Sequence, residues 1–203
     1  MRRLPRSFFQ AETPEVARQL LGKRLVRVVD ETTLSGILVE VEAYRGNDDP
    51  ASHAYGGKTA RNKVMFGEPG HSYIYLAYGL NECLNVTTEP VGIPGAVLIR
   101  ALEPSEGLDI MMKNRGTREV TNLTSGPGKL TQALRINRGL NGEDMVNSDR
   151  LYLTEGRKVN AGSVGESGRI GVSRGEERRW RFFVVGNPFV SRARAASANN
   201  ANP

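Results

Sequence analysis

The chain has 203 residues, with 28 Lys and Arg against 22 Asp and Glu and a net charge of +6. That length supports one domain with a buried core, and a pI near 9.7 favours a polyanionic partner such as DNA, RNA or an anionic membrane surface. The single cysteine, Cys83, excludes an intrachain disulfide and points to a reducing compartment; with only two histidines beside it, no zinc site or other cofactor is expected.

The start, "MRRLPRSFFQ", is basic but has no apolar signal-peptide core. No run approaches the roughly 18 apolar residues of a membrane span. A cytoplasmic chain is expected, nucleoid-associated if bacterial, with no membrane partner. "TPEVARQLLGKRLVRVV" predicts a helix capped by Thr13, with Pro14 in its first turn and Gly22 as its stop, followed by a strand. "LSGILVEVEAYRG" predicts a second strand, with Ile37, Val39 and Val41 on one face and Glu40 and Glu42 on the other. "SYIYLAY" and "CLNVTTE" predict a hairpin around Gly79, and "GAVLIRALEP" a further strand. Pro104 is expected to open a helix through "SEGLDIMMKNR" that ends at Gly116, and "GPGKLTQALRI" predicts another helix. "RLYLTEG", "GRIGVS" and "WRFFVVG" supply the last strand candidates. Many of the 23 glycines lie between short strands. The expected fold is a single α+β domain over residues 1–192, with a curved, mainly antiparallel sheet, flanking helices and a protruding hairpin. Residues 193–203, "RAASANNANP" with the preceding Ala, are too polar and small to pack and are expected to be disordered.

Several stretches carry chemistry. "GPGKL" is not a nucleotide phosphate loop, because the pattern G-x-x-x-x-G-K-[ST] fails at Leu123 and Leu130. "VEVEAY" sets two carboxylates at i and i+2 on a strand otherwise built for burial. Tyr44 shares their face; acids in this pattern either face water or supply a catalytic carboxylate, which needs a rigid strand end and aromatic neighbours that exclude water. Arg100 ends the apolar run "GAVLIR", as an exposed strand end or as the buried partner of an acid. "GGKTARNK" offers Lys58, Arg61 and Lys63 as phosphate contacts, or as a solvated loop. Three of the six tyrosines fall within residues 73–78. Tyr73 and Tyr75 alternate as on one strand face, whereas Tyr78 stands directly before Gly79 at the hairpin tip.

Taken together, "VEVEAYRGNDDPASHAYGG", "RNKVMFGEPGHSYIYLAYGLNECLNV", "VLIRALEP", "SGPGKLTQAL", "RIGV" and "RFFVVGNPFVS" resemble the alkyladenine (3-methyladenine) DNA glycosylase family, the type unrelated to helix-hairpin-helix glycosylases. The resemblance spans roughly residues 8–191, in order. Leu80 beside Tyr78 and the short basic N-terminal arm depart from the family pattern. The resemblance implies that Tyr78 fills the gap left by a flipped nucleotide. Glu42 is the implied general base for water, which Arg100 and the main-chain carbonyl of Ile170 help to hold. Tyr44, His53 and Tyr75 would enclose the flipped base, with Asn85 crowding the exocyclic amine of guanine. The implied protein is a monomeric, monofunctional enzyme acting on duplex DNA that contains alkylated or deaminated purines. It would hydrolyse the N-glycosidic bond and leave an abasic site. The rival readings are a non-catalytic DNA-binding module and a hydrolase of free nucleosides. Phosphate-rich ligands make a carboxylate costly in simple binding, and a hairpin wedge has no use on a small substrate.

Overall fold

In a computed structural model of the chain, residues 1–191 are described; the expected disordered tail lies outside the described residues. The fold is α+β, as expected, and every strand pairing among the described residues is antiparallel. In chain order the elements are α1 (Thr13–Leu20), β1 (Arg24–Val29), β2 (Thr32–Arg45), β3 (Ser72–Ala77), β4 (Asn81–Thr88), β5 (Gly95–Glu106), α2 (Leu108–Arg115), α3 (Pro127–Ala133), β6 (Leu151–Thr154), β7 (Val164–Ser167) and β8 (Arg181–Val184). Among the described residues no helix is long and apolar enough to cross a membrane.

One eight-stranded sheet runs in the order β3-β4-β5-β2-β1-β6, with β8 joining β2 and β7 joining β8. The long β2 explains the branching. Its first half, Thr32–Ile37, pairs with β1, and β8 takes the same edge further on, at Glu40–Glu42. A sheet that changes neighbours along one edge must curl, because each half follows a different partner. The main core lies between this sheet and the helices; Val16, Ala17 and Leu20 of α1 and Leu130 of α3 meet Leu38, Val41, Leu84, Ile99 and Phe182. A second, smaller cluster of Ala54, Met65, Tyr73 and Ala96 fastens the long loop after β2 to the sheet.

Several local expectations change in three dimensions. Thr13 is the first residue of α1 rather than its cap. Its N–H and hydroxyl both donate to Glu89 Oε1, at 2.7 and 2.8 Å. A carboxylate distant in sequence thus satisfies the helix terminus. Pro104 does not open a helix. It lies inside β5, and α2 begins only after Gly107, then stops at Gly116 as expected. The helix expected from "GPGKLTQALRI" ends at Ala133, and Arg135 takes a left-handed conformation (φ 51°). "GRIGVS" is not a strand; β7 precedes it and residues 168–173 are irregular.

The alternation expected for β2 also breaks. Leu34, Leu38, Val41 and Ala43 all enter the main core, so the parity of the buried face switches between Leu38 and Val41. The register with β5 shows why: it steps from Leu38↔Leu102 to Glu40↔Ala101 to Val41↔Ile99. Val39 and Arg100 are each left without a partner, two opposed bulges that cancel. Ile37 and Val39 are buried but do not share the core face of Val41.

Candidate active site

The row of paired residues across the sheet assembles the site. Tyr73 pairs with Asn85, Asn85 with Leu98, Leu98 with Glu42 and Glu42 with Arg181. Residues in one row point to one face. Glu42 therefore shares a surface with the hairpin residues although 30 or more positions separate them in the sequence. Glu40 and Glu42 face the same way, as expected, and both are fully buried. Two ionised carboxylates out of water are costly unless each is well bonded.

Arg100 resolves the choice left open by sequence. It is a buried partner, donating from Nε to Glu40 at 3.0 Å and from Nη1 to Glu42 at 3.2 Å. Its place at the β5 bulge aims the guanidinium between the two acids, a known use of bulges beside functional sites. Burial opposes its charge, but the flanking Glu42 and Glu40 win and hold its pKa above the ordinary value. Glu40 additionally accepts from Arg181 Nε at 2.7 Å, Ser191 N at 2.6 Å and Ser191 Oγ at 2.7 Å.

Glu42 is bonded differently on its two oxygens. Oε2 accepts from Arg100 and from the Tyr44 hydroxyl at 2.8 Å, whereas Oε1 accepts from the Ile170 N–H at 2.7 Å. Ile170 thus meets Glu42 through its amide. Among the described residues Oε1 has a single donor and keeps a lone pair for a further one. Burial, then the charge of Glu42 and the hydrogen bond to it, push the Tyr44 hydroxyl well above its usual pKa, so it stays protonated as a donor.

Above this carboxylate opens a cleft of about 720 Å³, lined in part by Tyr44, His53, Tyr75, Tyr78, Arg100 and Ile170. His53 meets Tyr75 edge to face, with ring centroids 4.5 Å apart, and its Nδ1 lies 2.8 Å from the Tyr73 hydroxyl. Burial, and then the charge of Arg61, lower the His53 pKa and favour the neutral imidazole. Tyr75 is pushed upward chiefly by burial. Asn85 is buried and donates to the Tyr73 carbonyl at 2.9 Å. It borders a small void beneath the cleft together with Tyr44, His53 and Tyr75.

The hairpin tip is unusual in two ways at once. Tyr78 is 89% exposed and sits in the left-handed region (φ 51°), followed by Gly79 (φ 70°). A large aromatic gains nothing from full exposure, and positive φ in a bulky residue costs about 1–3 kcal/mol. Such strain gathers at functional positions.

Of the basic loop residues, Arg61 reaches the cleft, with its guanidinium 5.3 Å from the Tyr75 ring centroid. Lys58 lies outside its lining, 5.9 Å over Phe66. Lys63 is exposed in a short 3-10 turn. The structure adds residues that sequence reading passed over. Asn62 is buried and donates to the His53 and Gly57 carbonyls at 2.8 and 2.9 Å, fixing the loop that carries His53. Asp49 and Arg169 form a buried bidentate pair beside Tyr44. No local signal marks such partners, since they are 120 positions apart.

Comparison with known proteins gives the family of the chain. The model of the family described as methylpurine-DNA glycosylase matches residues 7–188. Three relatives carry the name "Putative 3-methyladenine DNA glycosylase". The one from Chlorobium phaeobacteroides is 46% identical over 194 residues, covering 95% of this chain and 98% of the relative. That from Carboxydothermus hydrogenoformans is 47% identical, covering 93% and 98%. That from Methanocella arvoryzae is 49% identical, covering 93% and 96%. The chain belongs to the methylpurine-DNA glycosylase family.

Proposed function

We propose that the protein is a DNA repair glycosylase that turns a damaged purine nucleotide out of duplex DNA and hydrolyses its N-glycosidic bond with water bound at Glu42. The observation that carries this reading is a fully buried carboxylate, held by Arg100, Tyr44 and the Ile170 amide, below an aromatic cleft whose rim bears an exposed tyrosine.

The base must leave the stack for its glycosidic bond to be reached, at a cost of a few kcal/mol. Tyr78, presented rigidly at a turn, fills the vacated space and opposes return. Tyr44, His53 and Tyr75 enclose the extruded purine. Alkylation at N3 or N7 makes that base cationic and weakens its bond to the sugar, and electron-rich rings attract such a cation by about 0.5–2 kcal/mol. Asn85, held by the Tyr73 carbonyl, borders the small void beneath the cleft and would meet an exocyclic amine of guanine.

Bond cleavage develops positive charge on the sugar. Glu42 stabilises it and takes a proton from the attacking water, the logic shared by glycoside hydrolysis. The singly bonded Oε1 is the oxygen available to that water. Arg100 and the Ile170 carbonyl complete the water's surroundings. The attacking group is water and not a lysine amine, and the product is an abasic site. Lys58, Arg61 and Lys63 contact phosphates along the duplex.

The test is single-turnover base release from a duplex bearing one alkylated purine. Glu42→Gln keeps size and loses the basic oxygen. Release is expected to fall at least by the roughly 10²–10⁴-fold typical of general-base assistance, while a duplex with an abasic-site analogue still binds. Release at the parent rate would refute the proposal.

A further inference from the structure

We infer that Asp49 and Arg169 form a positioning clamp for the reaction: Arg169, oriented by Asp49, fixes both the Tyr44 ring and the backbone segment whose Ile170 amide holds Glu42. This deepens the proposal above and rests on it.

Three parts of the chain that share no continuous ladder converge on one guanidinium. Arg169 Nη1 donates to Asp49 Oδ2 at 2.5 Å and to the Ala43 carbonyl at 3.0 Å. Its Nη2 donates to Asp49 Oδ1 at 2.7 Å and to the Gly175 carbonyl at 3.2 Å. Ala43 belongs to β2, between Glu42 and Tyr44. Asp49 opens the loop to His53 and also accepts from the Arg45 and Ala51 amides, each at 3.2 Å. Both side chains of the pair are fully buried. The guanidinium carbon lies 4.7 Å from the Tyr44 ring centroid and 5.4 Å from that of Trp180, so Tyr44 is backed by a fixed cation.

The next residue is Ile170, which grips Glu42 Oε1 at 2.7 Å. Residues 168–174 join no strand among the described residues. A segment without a ladder needs another restraint to place an amide within hydrogen-bond range. The Arg169 fork supplies it one residue away. Gly175 fits the same purpose. Its φ is +62°, and a Cβ there would stand 3.0 Å from Arg169 Nη2 and 3.3 Å from Asp49 Oδ1. A planar fork on a carboxylate fixes orientation as well as distance, which a lysine does not. A buried ion pair is a poor device for stability alone, since apolar packing serves as well, but it suits the orienting of a ring and an amide.

The experiment compares the parent with Arg169→Lys, Asp49→Asn, Gly175→Ala and Glu42→Gln. Each is assayed for thermal unfolding, affinity for a duplex bearing an abasic-site analogue, and single-turnover base release. The clamp predicts that folded Arg169→Lys and Asp49→Asn bind the analogue as the parent does but release base on the order of 10²-fold more slowly, the loss expected of a misplaced reacting group. Gly175→Ala, which keeps both partners and crowds them, is expected to fall between. If Asp49→Asn does not fold, the other two variants decide. Parent-rate release by Arg169→Lys, with Glu42→Gln inactive, overturns the clamp and leaves the role of Glu42 standing. Binding and release lost in equal proportion also overturn it, because that marks a structural residue. Parent-rate release by Glu42→Gln overturns both.

Discussion

Tyr44 donates its hydroxyl hydrogen to Oε2 of Glu42 at 2.8 Å, two positions along one strand. The ring that would stack on the base is therefore also a donor to the carboxylate that would handle water. Tyr44→Phe separates these roles by keeping the ring and deleting the hydroxyl. A hydrogen bond to a charged group is worth about 1.5–3 kcal/mol, so base release is expected to slow roughly 10–100-fold. Affinity for an abasic-site duplex should stay at the parent value. Single-turnover release and fluorescence binding measure the two; an unchanged rate would remove Tyr44 from the support of Glu42.

Glu40 and Glu42 are chemically identical and equally buried, yet their partners differ. Glu40 is the meeting point of Arg100, Arg181 and Ser191, and its role is to join β2, β5, β8 and the chain beyond it. Glu40→Gln leaves buried guanidinium groups short of charge. Breaking a buried pair costs about 3–5 kcal/mol. The expected result is a clear drop in the urea midpoint, with release by the folded protein above that of Glu42→Gln. The reverse ranking of release rates would place the water at Glu40.

His53 links the site to pH. Its pKa lies below the ordinary 6.5 through burial and the charge of Arg61. Between the lowered folded value and 6.5 the unfolded chain binds a proton that the folded chain does not. Stability from this group is therefore complete above about pH 6.5 and is lost as pH falls below it. With two histidines in the chain, imidazole resonances can be followed individually by NMR. His53 should titrate below 6.5, and Arg61→Gln should move that titration upward. A His53 titration unmoved by Arg61→Gln would contradict the electrostatic contact.

Tyr78 projects into solvent, so replacing it should not disturb the fold. Tyr78→Ala is expected to melt with the parent and to lose base release most for a lesion in a stable pair. In a mismatch, where unstacking costs less, the loss should be smaller. Equal losses in both duplexes would argue against a wedge.

Phosphate contacts are read from salt. Log affinity for duplex DNA should fall steeply with log salt, and neutralising one true contact among Lys58, Arg61 and Lys63 should lower the slope by about one unit. Arg61 also touches the Tyr75 ring, so Arg61→Gln should weaken pocket binding beyond its slope effect. Affinity independent of salt would remove all three from the interface.

Local rules were enough for much of this molecule. Alternating apolar residues set β1 and the hairpin strands, and the i, i+2 spacing set the shared face of Glu40 and Glu42, because side chains alternate along a strand wherever no bulge intervenes. Glycine at 79 marked the turn that presents Tyr78, since the tip requires left-handed backbone. The resemblance in "VEVEAY" and the hairpin pointed to Tyr44, Tyr75 and Tyr78, which line one cleft, and to Glu42, which is bonded to Tyr44 beside it. Tertiary structure decided what depended on partners far along the chain. Thr13 stopped being a cap when Glu89 arrived to bond its N–H. Pro104 stayed in a strand because β5 continues alongside β2 to Glu106. The sense of Arg100, solvent or core, was settled by two opposed bulges that pairing alone creates. Asp49 and Arg169 lie in two separate stretches of the resemblance with nothing in either to pair them, and only folding brings them within 2.5 Å. A residue's backbone preference is a property of its neighbours in sequence; the partner of a buried charge is a property of the space the fold encloses.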